Sequence, residues 1–191
     1  MRIVAFGDSI AYGWDVAEKH SYRQVLKRLL EAKYPDRKWQ IFNRGVPGDT
    51  ALGGINRMKR DVGKIKPDLV LVGFGLNDAQ MALFNERLFT PEKHKEYMRK
   101  ILHYLRDEIG CEVWFLTTTL VDEVNLPQDY CQMVAAYNEQ LTQLSREEKV
   151  KLIDLYTPLK EAGFDRVLQY DGVHLNELGY QIVGEILSKE F

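Results

Sequence analysis

The chain has 191 residues, 45% of them hydrophobic, and its 26 basic and 28 acidic side chains leave a net charge of −2. This near balance gives no reason to expect nucleic acid or an anionic membrane surface as a partner. Two cysteines are too few for a disulfide framework, and no apolar run approaches the roughly 18 residues of a membrane-spanning helix.

The N-terminal sequence MRIVAFGDS lacks the apolar core of about 7–15 residues that a secretory signal peptide contains. We therefore expect a complete chain in the cytoplasm, with no stable insertion into a membrane. A mature secreted form whose signal peptide has been replaced by Met stays open as an alternative. The length is that of one domain, and we expect residues 1–191 to form it.

The predicted elements alternate between short apolar runs and longer helical patterns. In chain order they are a strand at Arg2–Phe6, a helix at Ser21–Tyr34, strands at Lys38–Phe42 and Asp68–Phe74, a helix at Glu92–Glu108, a strand at Cys111–Thr119, a helix at Tyr130–Glu147, a strand at Val150–Leu155 and a helix at Glu177–Lys189. The basic run Arg57–Lys66 is interpreted as the solvated face of a further helix. This alternation predicts an α/β fold with a parallel sheet between two helix layers.

Two of the predicted helices begin with capping signals. Ser21 and Gln24 have the spacing of a capping box, and Thr90 followed by Pro91 predicts an N-cap and a first-turn proline. Ser21 is therefore better explained as a cap than as a nucleophile.

Polar, glycine-rich blocks follow four of the predicted strands. They are GDSI (Gly7–Ile10), NRGVPGDT (Asn43–Thr50), GFGLND (Gly73–Asp78) and DGVHLNELGY (Asp171–Tyr180). Ligands of open α/β sheets bind at the carboxyl ends of the strands. We therefore expect the four blocks to meet at one edge of the sheet.

Ser9, His174 and Asp171 are the candidates for acyl-transfer chemistry. A serine hydroxyl needs an adjacent base, and Asp171, three residues before His174, can fix the tautomer and orientation of the imidazole. The alternative is that Asp171 only forms a turn and that Asn176 caps the last helix.

The other three histidines are less suited to be the base. His20 precedes a helix, and His94 and His103 lie on one helix without a partner three or four residues away. All three are interpreted as surface histidines.

An acyl-transfer site also needs hydrogen-bond donors for a developing oxyanion. Gly45, which lies before a Pro-Gly pair, and Asn77, which follows a Gly-Phe-Gly stretch, are the candidates. Ordinary turn chemistry explains Gly45 and Gly48 equally well, and a local Asx turn explains Asn77 equally well.

In order and spacing, the four blocks resemble those of the SGNH hydrolases, also called the GDSL esterase/lipase family, over nearly the whole chain. The resemblance implies a flavodoxin-like, three-layer α/β/α sandwich with about five parallel strands. It implies that Ser9 is the nucleophile, His174 the base and Asp171 the acid. The oxyanion hole is then formed by the N–H of Ser9, the N–H of Gly45 and the side-chain amide of Asn77.

Three further polar residues lie beside these positions and are interpreted as supports of the loops: Asp8, Asn43 and Asp78. The resemblance implies neither a cofactor nor a metal, and the sequence contains no zinc-binding H-E-x-x-H motif. It makes no prediction of oligomeric state.

The function that the resemblance implies is hydrolysis of small-molecule carboxylic esters through an acyl-enzyme on Ser9. Apolar residues in Ala79–Phe89, interpreted as a long loop after Asn77, and in Thr118–Pro127, with Tyr12 and Trp14 near the serine, favour short to medium acyl chains of lipid-like or acetylated esters. Ordinary packing over the sheet edge explains these residues equally well.

The alternatives are a carbohydrate O-deacetylase and a catalytically silent SGNH-like domain that binds a glycan or a protein partner. A nucleotide- or flavin-binding module is disfavoured, because the glycine loops lack the third glycine and the lysine of phosphate-binding motifs.

Overall fold

One parallel sheet forms the centre of the structure, a computed structural model that describes residues 1–191. Its strands are β1 (Arg2–Gly7), β2 (Gln40–Gly45), β3 (Leu69–Gly73), β4 (Glu112–Leu116) and β5 (Lys151–Ile153). They lie in the order β2-β1-β3-β4-β5, and every neighbouring pair is parallel. This strand order confirms the predicted α/β fold with a flavodoxin-like sheet.

The helices cover both faces of the sheet. They are α1 (Ser9–Tyr12), α2 (Tyr22–Lys33), α3 (Ala51–Met58), α4 (Leu76–Ala82), α5 (Pro91–His103), α6 (Gln128–Glu148), α7 (Tyr156–Ala162), α8 (Phe164–Val167) and α9 (Glu177–Ser188). A 3₁₀ turn at Glu18–His20 precedes α2, and wider π turns at Lys59–Gly63 and Tyr104–Ile109 extend α3 and α5. None of the helices has both the length and the hydropathy that crossing a bilayer requires.

Two apolar cores lie on opposite faces of the sheet. Successive side chains of a strand point to opposite faces, so Ile3 and Ala5 contribute to the core with α2 and α9, whereas Val4 and Phe6 contribute to the core with α3 and α5. All four side chains are fully buried. A central strand covered on both faces has to be apolar throughout, which explains the unbroken hydrophobic run in β1.

The largest differences between the observed and the predicted strands are at the ends of β2 and β4. β2 begins and ends later than predicted, and it continues to Gly45. β4 ends at Leu116, so Thr117–Thr119 do not belong to the strand. The Oγ1 atom of Thr117 accepts the N–H groups of Leu155 and Tyr156 (2.9 and 3.2 Å). This side-chain contact takes the place of further strand pairing.

One of the two predicted helix caps is confirmed. Thr90 accepts the N–H of Lys93 (3.1 Å), and α5 begins at Pro91. The predicted capping box at Ser21 is wrong, because Ser21 Oγ donates to the carbonyl of Glu18 (2.8 Å) and caps no N–H of α2. The 3₁₀ turn before α2 supplies that nearer acceptor.

Candidate active site

The carboxyl ends of β1, β2 and β3 meet at one point of the sheet edge. Gly7 is in register with Gly45 on one side and with Gly73 on the other. Because β1 lies between β2 and β3, the chain order reverses around it, and ligands bind at such a switch point. The loops that follow these three strands therefore lie side by side.

Ser9 is the first residue of α1, a single helical turn directly after β1. The side chain of Asp8 caps this turn by accepting the N–H of Ile10 (2.9 Å), and Gly13 ends it in the left-handed conformation (φ 84°). Ser9 is 5% exposed, and its Oγ lies 2.8 Å from Nε2 of His174. The turn thus presents the serine hydroxyl to the imidazole.

His174 is held from its other side by Asp171. Nδ1 of His174 lies 2.6 Å from Oδ2 of Asp171, and Oδ1 of Asp171 accepts the N–H groups of Val173 and His174 (2.9 Å each). A carboxylate can only accept, so Nδ1 carries the proton and the lone pair of Nε2 faces Ser9. Asn176 also caps α9 by accepting the N–H of Gly179 (3.1 Å), so the local turn and cap exist together with the Asp-His pair.

The electrostatics of Asp171 favour its ionised form. Partial burial acts to raise the pKa of this carboxyl, but hydrogen bonds from the His174 ring and from the N–H groups of His174 and Val173 outweigh burial. The pKa of Asp171 therefore lies below its ordinary value. An ionised Asp171 stabilises the imidazolium that forms when His174 accepts a proton.

Asp8 has the opposite electrostatic character. Burial, with a smaller contribution from the negative charges of Asp78 and Asp49, raises the pKa of Asp8 to about 7, although the Ile10 N–H acts to lower it. Asp8 is 3% exposed and supports the serine turn as its N-cap.

The structure does not support Gly45 as an oxyanion donor, because its N–H is already donated to Oδ1 of Asn43 (2.9 Å). Asn43 also donates from Nδ2 to the carbonyl of Tyr12 (3.2 Å), which joins the end of β2 to the end of α1. A Cβ atom on residue 45 would overlap the backbone of Ala11 and Tyr12. The glycine is required for this close approach.

Gly48, three residues further on, has a free N–H. Its φ is +79°, a side chain there would meet nothing within 4 Å, and no acceptor in the chain takes its N–H. The Pro-Gly pair in the sequence marked this turn. It did not show which glycine of the block keeps an unpaired donor, since that depends on the side chain of Asn43.

Asn77 is the second residue of α4. The sequence predicted a loop, not a helix, for the residues that follow it. Its Nδ2 donates to the carbonyl of Asp49 (3.0 Å), 28 residues away, so the amide is not engaged in a local Asx turn. An amide nitrogen carries two hydrogens, and the second one remains for a ligand. Asn77 lines the same cavity as Ser9 and His174.

Asp78 and His94 form a buried pair behind this site. Both oxygens of Asp78 accept the N–H of Ala51 (3.1 and 3.0 Å), and Oδ1 lies 3.2 Å from Nδ1 of His94. The surface position predicted for His94 is wrong, because it is 1% exposed and packs on the ring of Tyr137. His94 shares its helix face with the buried Met98, and that spacing was the signal in the sequence.

The remaining two histidines lie outside the site. His20 is half-buried beside Glu177 (3.4 Å), and His103 is exposed beside Glu148 (3.2 Å). No group of three or more His, Cys, Asp or Glu side chains is arranged to hold a metal ion.

A cavity of about 430 Å³ opens beside the serine and the histidine. Much of its wall is apolar, formed by α4 and the two residues that follow it, the loop before α6 with the start of α6, and the turn around His174. Its lining residues are Ser9, Leu76, Asn77, Gln80, Leu83, Phe84, Leu126, Pro127, Tyr130, Asp171, Val173 and His174. Trp14 lies outside this wall and packs on the His174 ring, with 5.8 Å between the ring centroids.

Comparison with known proteins matches this arrangement to one family. The model of the GDSL-like Lipase/Acylhydrolase family matches residues 5–182, which include all four polar blocks. The chain belongs to this family. Its named relatives are esterases, and the chain is accordingly a carboxylic ester hydrolase.

The relatives cover most of the chain at modest identity. The lipase/acylhydrolase from Enterococcus faecalis is 30% identical, with a TM-score of 0.85 over 99% of this chain and 94% of that one. Esterase TesA of Pseudomonas aeruginosa is 24% identical over 174 residues, which are 90% of this chain and 78% of that protein. An acetylxylan esterase of Geobacillus stearothermophilus is 22% identical over 169 residues, 85% of this chain and 76% of that protein.

Proposed function

We propose that residues 1–191 form a single catalytic domain that hydrolyses small-molecule carboxylic esters through an acyl-enzyme on Ser9. The observation that carries the proposal is the continuous hydrogen-bonded line from Ser9 Oγ through His174 to Asp171, with contacts of 2.8 and 2.6 Å. A serine hydroxyl is a weak nucleophile unless a base takes its proton, and this line supplies an oriented base.

The reaction proceeds in two halves. In the first, Ser9 Oγ attacks the ester carbonyl while Nε2 of His174 accepts the hydroxyl proton, and Asp171 stabilises the imidazolium. His174 then protonates the departing alcohol, which leaves the acyl group on Ser9. In the second half, His174 removes a proton from water, which attacks the acyl-enzyme, and then returns that proton to Ser9 Oγ as the bond to the acyl group breaks and the acid leaves.

The oxyanion of each tetrahedral intermediate requires donors that are fixed in advance. We assign this role to the N–H of Ser9, the free amide hydrogen of Asn77 and the N–H of Gly48. The N–H of Ser9 is at the start of α1 and has no acceptor in the chain. Gly48 takes the place first assigned to Gly45, whose N–H is occupied by Asn43.

The walls of the cavity favour a short to medium acyl chain. Leu83, Phe84 and Leu126 line it together with Ser9, and its volume is that of an ordinary small-ligand site. A lipid-like acyl group gains stabilisation from this apolar surface at about 25 cal/mol per Å² buried.

Deacetylation of a carbohydrate is the second candidate function. The side chain of Trp14 is 43% exposed and lies against His174, which protonates the departing alcohol in this mechanism. An exposed aromatic face at that place suits a sugar ring, and one relative is named an acetylxylan esterase.

Hydrolysis of p-nitrophenyl esters of increasing chain length tests the proposal, with Ser9→Ala as the inactive variant and Ser188→Ala as the matched control. We expect turnover in the unaltered protein and in Ser188→Ala, and none in Ser9→Ala. A rise of kcat/KM from acetate to butyrate or longer supports the lipid-like acyl site. A maximum at acetate, together with release of acetate from acetylated xylose, supports the deacetylase. Equal turnover in Ser9→Ala contradicts the proposed function.

A further inference from the structure

Ser9 is carried by α1, which has only four residues and is far too short to be stable by itself. Its position therefore depends on groups outside the turn that bond to the backbone before and after it. Two buried arginines bond to that backbone, one at each end.

Arg57, on α3, bonds to the backbone just before the serine turn. Its Nη2 donates to the carbonyl of Gly7 (2.8 Å) and its Nη1 to the carbonyl of Arg44 (2.9 Å), near the ends of β1 and β2. Its Nε donates to Oδ2 of Asp49 (2.6 Å), the residue whose carbonyl binds Asn77. The Arg57 guanidinium thus connects the end of β1, just before the nucleophile, with the loop that holds the side-chain amide of Asn77.

Arg23, on α2, bonds to the opposite end of the turn. Its Nε donates to the carbonyl of Ala11 (3.0 Å) and its Nη2 to the carbonyl of Tyr12 (2.9 Å). These are the last two carbonyls of α1, which have no partner within so short a helix. Glu18 binds the far edge of the guanidinium through two contacts of 2.8 Å.

Both charges are buried, at 2% exposure for Arg23 and 8% for Arg57. Arg57 is balanced by Asp49 and Asp61, and its guanidinium lies 4.5 Å from the ring centre of Phe6. A buried ion pair contributes little net stability compared with apolar packing, because desolvation opposes its attraction. The directional bonds that each guanidinium makes to the backbone are what an apolar side chain could not replace.

We propose that Arg23 and Arg57 are positioning residues that hold the Ser9 turn from its two ends and so set the distance from Ser9 to His174 and to the oxyanion donors. This inference rests on the proposed function of Ser9 as the nucleophile. Displacement of a reacting group by about 1 Å can cost about 10²-fold in rate, so bonds that touch no substrate still control turnover.

The test replaces each arginine by lysine, which keeps the charge but not the planar fork of donors. The matched controls are Arg28→Lys, on α2 with an exposed guanidinium bonded to the carbonyl of Lys19, and Arg60→Lys, in the π turn after α3 and 72% exposed. All variants are compared by kcat and KM for p-nitrophenyl butyrate and by melting temperature.

A second readout follows the nucleophile itself. Diethyl p-nitrophenyl phosphate reacts with a serine hydroxyl so that the Oγ–P bond forms, the P–O bond to p-nitrophenolate breaks, and the hydroxyl proton passes to His174. The total p-nitrophenolate released counts the competent sites, and its rate reports the reactivity of Ser9. Expressing kcat per competent site removes the effect of any unfolded fraction.

For Arg23→Lys and Arg57→Lys we expect kcat per site to fall by about 10- to 10²-fold while KM changes by less than about threefold. The phosphate reaction should slow by a similar factor, and both controls should stay within about twofold of the unaltered protein. Lysine variants that match the controls in kcat and in phosphate reactivity overturn the inference, even where their melting temperature is lower.

Glu18→Gln keeps the Arg23 part testable if Arg23→Lys does not fold, because Glu18 is exposed and its side chain binds only the Arg23 guanidinium and the amide of Gln24. A several-fold loss of kcat is expected, and an unchanged kcat overturns the role of Arg23.

Ser9→Ala separates the two proposals. Activity in Ser9→Ala contradicts the proposed function, whereas an inactive Ser9→Ala with unaffected lysine variants contradicts only this inference.

Discussion

At the scale of single residues, the two carboxyls nearest to the reaction have opposite pKa shifts for identifiable reasons. Asp171 accepts three hydrogen bonds and is partly exposed, so its pKa is lowered and it stays ionised beside His174. Asp8 accepts one N–H and is buried, so its pKa is raised to about 7. Ionisation of Asp8 is therefore a cost to the folded protein, whereas ionisation of Asp171 stabilises it.

The raised pKa of Asp8 predicts how stability depends on pH. The pKa of Asp8 in the folded protein lies above its value in the unfolded chain. The stability that protonated Asp8 contributes is therefore complete below about pH 4 and is lost as pH rises through about 7. Asp8→Asn keeps the acceptor for Ile10 and cannot ionise. Relative to the unaltered protein, we expect the free energy of unfolding of Asp8→Asn to rise by up to about 4 kcal/mol between these two pH values.

Urea unfolding at several pH values measures this difference. Asp36→Asn, at an exposed position, is the matched control and should show no such trend. If the difference in free energy of unfolding between Asp8→Asn and the unaltered protein does not change with pH, this would contradict the buried, protonated state of Asp8.

The assigned role of Asn77 predicts a large loss of rate from one small substitution. Removing one oxyanion donor costs about 10²–10³ in kcat, and we expect this for Asn77→Ala with little change in KM. Steady-state kinetics on a p-nitrophenyl ester measure the loss, with Asn56→Ala on the exposed face of α3 as the control. Turnover of Asn77→Ala equal to that of the control would remove Asn77 from the mechanism.

From the sequence, contacts between residues were predicted best where the residues lie close along the chain or follow the ends of neighbouring strands. The three residues Ser9, Asp171 and His174 lie together because two of them share one turn and the third follows a central strand. The choice between Gly45 and Gly48 depended on a contact to the side chain of Asn43, which no spacing reveals.

At the scale of elements, the close approach of β2 to α1 places the serine turn. No side chain fits at residue 45, where a Cβ would overlap the backbone of α1, whereas residue 48 has open space around it. We expect Gly45→Ala to displace α1 and lower kcat severely. Gly48→Ala should keep its N–H and lose only about 1 kcal/mol of stability through its positive φ.

Parallel measurement of melting temperature and of kcat distinguishes these two glycine variants. Equal effects of both substitutions on kcat would contradict the requirement for a glycine at residue 45, where β2 approaches α1.

Element boundaries were predictable where a local signal existed and not elsewhere. Thr90 and Pro91 marked the start of α5 because a cap and a first-turn proline act within one helical turn. The short helix α4 carried no side-chain cap, and the sequence predicted a loop there. Its start depends on Gly75, which adopts φ +147° and packs against Thr118 from another part of the chain.

At the scale of the whole molecule, a small residue lets two neighbouring helices of one layer, α2 and α9, pack at a short distance. Gly184 on α9 lies against Val25 on α2, and a Cβ there would overlap the valine side chain. We expect Gly184→Ala to lower stability by about 1–3 kcal/mol through overpacking while kcat per active site stays unchanged. Chemical denaturation and kinetics measure both, with the exposed Glu185→Ala as control. A loss of kcat in folded Gly184→Ala would show that this helix contact also shapes the site.

The α/β architecture was predictable because apolar runs and helical stripes alternate along the chain, a pattern typical of a parallel sheet covered by helices. The strand order and the two cores agree with that expectation. The burial of His94 and of the two arginines was not predicted. A buried polar side chain needs hydrogen-bond partners, and those of His94 and Arg57 include groups far along the chain, such as Asp78 and the carbonyl of Gly7, which come close only in the folded protein.

Identification of the acylated residue during turnover tests the role of Ser9 as the nucleophile most directly. The reaction with p-nitrophenyl butyrate is quenched in acid within the first turnovers, and the digested protein is mapped by mass spectrometry. We expect one butyryl group on the peptide that contains Ser9, and no butyrylated peptide in Ser9→Ala. Turnover without any acylated Ser9, or an acyl group on another residue that persists in Ser9→Ala, would contradict this role of Ser9.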